Sequence, residues 1–252
     1  MRIAVAGGTG TVGAHVVDVL RERGHEPVVL ARATGVDLVT GDGAAEALRG
    51  VDVVIDVVSK LTQKERVATE FFDATTRNLL DAAAAAGVNH YVLLGIVGSQ
   101  KSQYGYYLGK MAQERLVHGG EVPWTEVRAT QFHEFSQQIY GVARIGPIVL
   151  APIGRVQPIA AREVAEHLVG LAEGTPSGLV AELAGPREEN LARMVRAAAR
   201  ATGIRAPVLG VPAPGPGGRA MRDGTLLPDP TLQPPAHLGI QTFDEWLSTL
   251  HA

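Results

Sequence analysis

The chain opens on a strand-like run that breaks into a glycine-rich turn and leads straight into a helical pattern: Ile3-Ala4-Val5-Ala6-Gly7-Gly8-Thr9-Gly10-Thr11-Val12-Gly13. Few local patterns constrain a fold as tightly. Gly7 can take a backbone conformation closed to other residues, Gly10 removes a side chain where a pyrophosphate must approach, and Gly13 lets the helix pack closely on the strand. The amide groups at the helix start and the positive end of its dipole then face an anion. In this strand–turn–helix context the G-x-x-G-x-x-G spacing predicts a dinucleotide site. Nineteen residues after Gly13, the run Pro27-Val28-Val29-Leu30-Ala31 ends in Arg32. An acidic residue there favours the ribose hydroxyls of NAD, whereas an arginine fork suits a 2′-phosphate, so NADP(H) is the expected cofactor.

Composition agrees with an α/β chain able to bury a core of this kind. The 252 residues are 46% hydrophobic and carry a net charge of −3, which leaves no basic field for nucleic acid and no polybasic surface for a membrane. Cysteine is absent, which excludes disulfides, thiolate catalysis and cysteine metal sites. The eight histidines (His15, His25, His90, His118, His133, His167, His237 and His251) show no H-E-x-x-H or comparable metal-ligand spacing. No apolar run reaches membrane-spanning length, and a cytoplasmic setting is expected.

Extended and helical patterns alternate along the first half. Strands are predicted at 27–32, 36–42, 51–58, 90–96 and 124–129, and helices at 12–23, 44–49, 66–86 and 106–117. That order predicts a doubly wound parallel sheet with helices on both faces. After Thr130 proline and glycine become dense, and Pro214-Gly215-Pro216-Gly217-Gly218 is expected to hold no regular structure. Helices at 162–172 and 191–201 and a strand at 179–184 are expected in between. The terminal Thr242-Phe243-Asp244-Glu245-Trp246 offers an N-cap and an aromatic pair to bury. The expectation is one Rossmann-like domain over 1–252, with a small irregular substrate lobe from about 131–155 and 207–240 packed on it. That lobe is rich in Ile, Leu, Val and Pro and suits an apolar small molecule.

Ligands of open α/β sheets bind beyond the carboxyl ends of the strands, which draws attention to Tyr106-Tyr107-Leu108-Gly109-Lys110, after the strand at 90–96. Tyr106 and Lys110 are one helical turn apart. An ammonium beside a phenol lowers its pKa, so Tyr106 is a candidate general acid–base, and Lys110 can also hold the nicotinamide ribose.

These motifs, with Val51-Asp52-Val53-Val54-Ile55, Ala86-Gly87-Val88-Asn89-His90-Tyr91-Val92-Leu93-Leu94 and Pro123-Trp124-Thr125-Glu126-Val127-Arg128-Ala129-Thr130-Gln131-Phe132-His133, resemble the NmrA-like, NAD(P)H-binding branch of the atypical short-chain dehydrogenase/reductase superfamily. The likeness reaches nearly the whole chain, including Arg219-Ala220 and Phe243-Asp244-Glu245-Trp246-Leu247. It implies a Rossmann-like fold with phosphates on Thr9, Gly10, Thr11 and Val12 and a 2′-phosphate on Arg32. It also implies adenine and ribose beside Val57 and Val58, and nicotinamide against Thr130, Gln131 and Phe132, with His133 and Glu134 nearby. One position departs from the pattern. Many relatives read Leu-Ser-Ile-Val-Gly where this chain has Leu94-Gly95-Ile96-Val97-Gly98, so the hydroxyl of the Ser–Tyr–Lys constellation is missing. Ser99 or Ser102 on the following loop are the nearest replacements, neither in register. Three classes follow: an NADPH-dependent reductase of a small apolar carbonyl, enone or quinone; a non-redox isomerase, lyase or cyclase on the same scaffold; or an NADP(H)-sensing regulator. A monomer or homodimer is expected.

Overall fold

The structure, a computed structural model, describes residues 1–102 and 104–250, so His251 of the histidine set lies outside it. In chain order the elements are β1 (Arg2–Ala6), α1 (Thr11–Glu22), β2 (Glu26–Leu30), α2 (Ala44–Ala47), β3 (Val53–Asp56), α3 (Glu65–Ala86), β4 (His90–Ile96), α4 (Gly105–His118) and β5 (Trp124–Ala129). Then follow α5 (Phe135–Val142), β6 (Arg144–Ile145), β7 (Ile148–Pro152), β8 (Arg155–Val156), α6 (Ala161–Glu173), β9 (Gly178–Leu179), β10 (Leu183–Ala184) and β11 (Glu189–Asn190). The chain continues through α7 (Leu191–Ala201), β12 (Val208–Val211), α8 (Gly215–Arg222), β13 (His237–Leu238) and α9 (Phe243–Thr249). It divides into two compact units, one of residues 1–100, 104–128 and 162–180, the other of 101–103, 129–161 and 181–252.

The first unit is an α/β layer structure on a Rossmann-like parallel sheet of order β2-β1-β3-β4-β5, with β9 beside β5. Ala6 stands level with Leu30 on one side and Asp56 on the other, and Asp56 with Leu93. The carboxyl ends of β1 to β4 therefore align, and the loops leaving them open on one edge. Strand order reverses between β1 and β3, the place where such sheets form a ligand crevice. One face of the sheet buries Ala4, Leu30, Val54, Tyr91 and Leu93 against Leu48 of α2's end and Leu79 and Ala83 of α3. Strands shielded from water on both sides read as continuous β-branched runs, as 51–58 does. Gly109 lets α4 come close to α3, because a Cβ there would lie 2.6 Å from the Phe72 ring and 2.9 Å from Ala68.

In the second unit β12 and β7 pair in parallel, β6 and β7 antiparallel, and β10 lies between Ala129 and β13. Its core joins Ile139, Val149, Val156, Leu191, Val195, Val208, Phe243 and Trp246. The predicted terminal cap is present: Thr242 accepts from the Glu245 amide, Glu245 accepts from the Thr242 amide, and the Phe243 and Trp246 rings stack at 5.5 Å.

Four sequence expectations are corrected. Residues 36–42 form a turn instead of a strand, closed by an isolated Asp37–Asp42 bridge. The Asp37 carboxylate accepts the Val39 amide, and such short-range bonding outcompetes a ladder. The proline-rich stretch does hold structure: α8 tolerates Pro216 in its first turn, where no intrahelical donor is needed, and β12 is edge-paired to β7. The strand expected at 179–184 is two separate two-residue strands, β9 and β10. The strand expected at 27–32 stops at Leu30, and Arg32 begins a 3₁₀ turn.

Candidate active site

The candidate nucleotide site of the first unit grows from the β1–α1 turn. Gly7 has φ +81°, and a Cβ on it would come within 3.1 Å of Val57 and Val58 at the end of β3. A Cβ on Gly13 would lie 2.1 Å from the Gly7 carbonyl oxygen, so only glycine allows α1 to start this close to the turn. The N-cap residue Gly10 makes no side-chain cap, and the first turn of α1 carries no acidic residue. The amides of Val12 and Gly13 precede the intrahelical ladder, and Thr9, Gly10 and Thr11 are exposed. This is an open anion cradle, and it fits a dinucleotide pyrophosphate. Arg32 is exposed just beyond β2, with no ion pair among the described residues. Val57 and Val58 lie just past β3, where the Val58 amide is held by the Asp56 carboxylate at 2.9 Å.

Tyr106 and Lys110 project from the start of α4 onto a shared aromatic floor. The Tyr106 ring lies 5.9 Å from the Phe72 ring, and the Lys110 Nζ lies 5.3 Å over the same ring. The Lys110 ammonium is buried and donates to the Leu94 carbonyl at 2.8 Å and to Gln113. Gln113 in turn donates to Asp56 at 2.8 Å, and the buried Tyr91 hydroxyl donates to the same carboxylate at 2.6 Å. Burial pulls Lys110 below the usual lysine range, while Asp56, Glu114 and Glu126 oppose that shift. Tyr106 differs from expectation. Burial pushes its phenol up, and only the hydrogen bond with Ser59, at 2.8 Å, pulls it back. The lysine is committed to the Leu94 carbonyl and Gln113, and desolvation sets the phenol's acidity.

Position 95 has a physical reason to be glycine. A Cβ there would lie 2.6 Å from the Glu126 carboxylate and 2.9 Å from the Arg128 side chain. Those two β5 residues form a buried ion pair at 2.8 Å. Arg128 also contacts Glu114 at 3.0 Å, and His118 meets Glu126 at 2.6 Å while stacking on Trp124. The space a serine side chain would enter is filled by charge. Ser99 donates to Glu114 at 3.0 Å, and Ser102 is buried with an unpaired hydroxyl among the described residues.

In the second unit, Thr130 is buried and donates to the Gln157 carbonyl at 2.6 Å. Phe132 bridges to Ile159, and His133 is buried with Nε2 3.1 Å from the Gln241 carbonyl. Gln131 stands apart: both ends of its carboxamide are buried and lack a hydrogen-bond partner among the described residues. An unmet polar group of this kind costs about 1–3 kcal/mol. Gln131→Leu is accordingly expected to raise the stability of the free protein by about 1 kcal/mol. Chemical denaturation checks this, and a loss of stability means that the carboxamide is already satisfied.

Ser59, Phe72, Asp56 and Gln113 were not singled out in the sequence. A carboxylate ending the apolar run Val53-Val54-Ile55-Asp56 was the one available signal, since a buried charge in a strand needs partners.

With this geometry in place, comparison with known proteins is direct. A family model described as NAD(P)H-binding matches residues 7–173. Ceramide reductase of Caulobacter vibrioides is 27% identical over 238 residues, covering 84% of this chain and 74% of that protein. Among solved structures, the UDP-glucose 4-epimerase of Thermus thermophilus in complex with NAD superposes with TM-score 0.68 at 21% identity, over 88% of this chain and 89% of that one. A short-chain dehydrogenase/reductase superfamily protein from Agrobacterium tumefaciens with bound NAD gives TM-score 0.66 at 19% identity, over 100% and 96%. The chain belongs to this NAD(P)H-binding family and has the fold of the short-chain dehydrogenase/reductase-like proteins. Among the described residues no helix is long and apolar enough to cross a membrane.

Proposed function

We propose that the protein is an NADPH-dependent oxidoreductase that reduces a small apolar carbonyl, enone or quinone in the cytoplasm. The observation that carries this reading is the Tyr106–Lys110 pair, set on one aromatic floor at the head of α4. A reduced nicotinamide cofactor, when bound, would supply the hydride. Tyr106 gives its proton to the acceptor oxygen as charge develops there, and burial keeps the phenol protonated until that moment. Lys110 adds positive potential beneath the site. Arg32 would select the 2′-phosphate, and Thr9, Gly10, Thr11 and Val12 would receive the pyrophosphate. Segments 131–155 and 207–240 of the second unit would supply the substrate lobe, with Thr130, Gln131 and Phe132 as candidate ligand-binding residues. Exposed Val142, Ile145, Leu209 and Leu232 in those segments suit an apolar ligand.

The filled space at position 95 favours a second reading, in which the scaffold binds NADP(H) for non-redox chemistry or sensing. A single-turnover experiment separates the two. Protein loaded with NADPH is mixed with a panel of quinones, enones and ketones, and reduced-nicotinamide absorbance is followed. Oxidation by one acceptor class supports the reductase; tight binding without oxidation supports the second reading, and no binding sinks both. Arg32→Asp is expected to weaken NADPH binding about 10–100-fold, the loss of a charge-assisted contact, and to spare NADH. Equal weakening of both cofactors would remove Arg32 from cofactor choice.

A further inference from the structure

We infer that Ser59, on the loop leaving β3, supplies the hydroxyl partner that holds the Tyr106 phenol for proton transfer. The inference rests on the reductase reading and deepens it. Ser59 Oγ lies 2.8 Å from the Tyr106 hydroxyl, across 47 positions of sequence. β4 offers no hydroxyl at Gly95, because Glu126 and Arg128 fill the space beside it. Ser59 leaves the aligned carboxyl end of β3 only three residues beyond Asp56, on the edge where the loops of the candidate crevice open. It is exposed, so its own burial does not account for its orientation toward the tyrosine.

In the reaction, the bond that breaks at this pair is the phenolic O–H, and its proton forms the new O–H of the reduced acceptor. The electron pair left on the phenolate oxygen accepts a hydrogen bond from Ser59, and solvent later returns the proton. Ser59 donates no proton to the product and is a positioning residue that acts through Tyr106. The hydride comes from the reduced nicotinamide dinucleotide, so the acceptor gains two electrons and two hydrogens.

Removing the serine hydroxyl takes away a donor to the ionised phenol, so Tyr106 should ionise at higher pH. The test is a stopped-flow pH jump that records tyrosinate absorbance before the chain can unfold. Tyr106→Phe is subtracted to isolate the signal of one tyrosine. In Ser59→Ala the Tyr106 ionisation constant is expected to fall about tenfold, with NADPH affinity unchanged, and Ser59→Thr is expected to restore it. With the acceptor that wild-type protein reduces, Ser59→Ala is expected to lower the rate by a similar factor. A Ser59→Ala titration that superimposes on wild type overturns the proposal. Failure of wild-type protein to oxidise NADPH removes the reductase reading instead, and the titration still decides whether the pair is coupled.

Discussion

Replacing Tyr106 by phenylalanine is expected to slow acceptor reduction by about 10²–10⁴-fold, the usual contribution of a positioned acid, and to leave NADPH affinity unchanged. The aromatic ring stays against Phe72 and Tyr107, at 5.9 and 5.8 Å, so packing at the head of α4 is retained. Ser59 is exposed and can turn its hydroxyl to water. Only the proton is lost. Single-turnover rates and cofactor titrations on the same preparation check both halves, and an unchanged rate would transfer the acid role elsewhere. The pH dependence follows from the same geometry. Burial holds the phenol above the ordinary tyrosine value of about 10, so the acid form persists across the neutral range. Reduction limited by this acid should stay level through neutrality and decline only under strongly alkaline conditions. A decline centred near neutral pH would point to another group.

Gly95→Ser, which installs the hydroxyl that the family resemblance leads one to expect there, is expected to destabilise the chain by at least about 1–3 kcal/mol and to gain no activity. The new Cβ would meet the Glu126 carboxylate at 2.6 Å and the Arg128 side chain at 2.9 Å. Both are buried, and Arg128 is shared between Glu126 and Glu114. Moving one side chain therefore disturbs a three-membered ion cluster, and breaking such a cluster strands a charge away from water. Urea denaturation of wild type and variant provides the measurement. A variant as stable as wild type would mean that the Glu126–Arg128 pair yields easily, and the case for a displaced hydroxyl at Ser59 would weaken with it.

What could be read ahead of the structure followed the range of the interactions involved. The β1–turn–α1 unit, α3, α4 and α7 were legible because their determinants are local: periodicity, capping residues, and glycines where backbones approach. Residues 36–42 misled because Val36 and Leu38 alternate like a strand, while a single Asp37 side-chain bond and left-handed glycines at 41 and 43 redirect the backbone. The proline-rich α8 was hidden for the opposite reason, since its density of Pro and Gly masks a first turn that prolines suit. The filled space at position 95 was out of reach altogether. It depends on which strand neighbours β4 and on where Glu126 and Arg128 carry their charges, and no spacing along the chain encodes that. The same holds for Ser59, whose partner is set by the alignment of β3 with the head of α4.

The division of the chain also bears on how it can be made. The unit built on β1 to β5 is not finished when β5 has been synthesised, because α6 belongs to it and is encoded after a segment of the other unit. Arg162 of α6 reaches Glu22 at 3.0 Å, and Glu173 meets both Arg23 and His25, so the end of α1 waits for a helix about 140 residues downstream. A ribosome delivering residues in order must expose an unclosed sheet while the intervening segment emerges. Fragments cut near residue 160 should therefore be poor autonomous folders, and co-expression of the two halves is the natural route to recovering either.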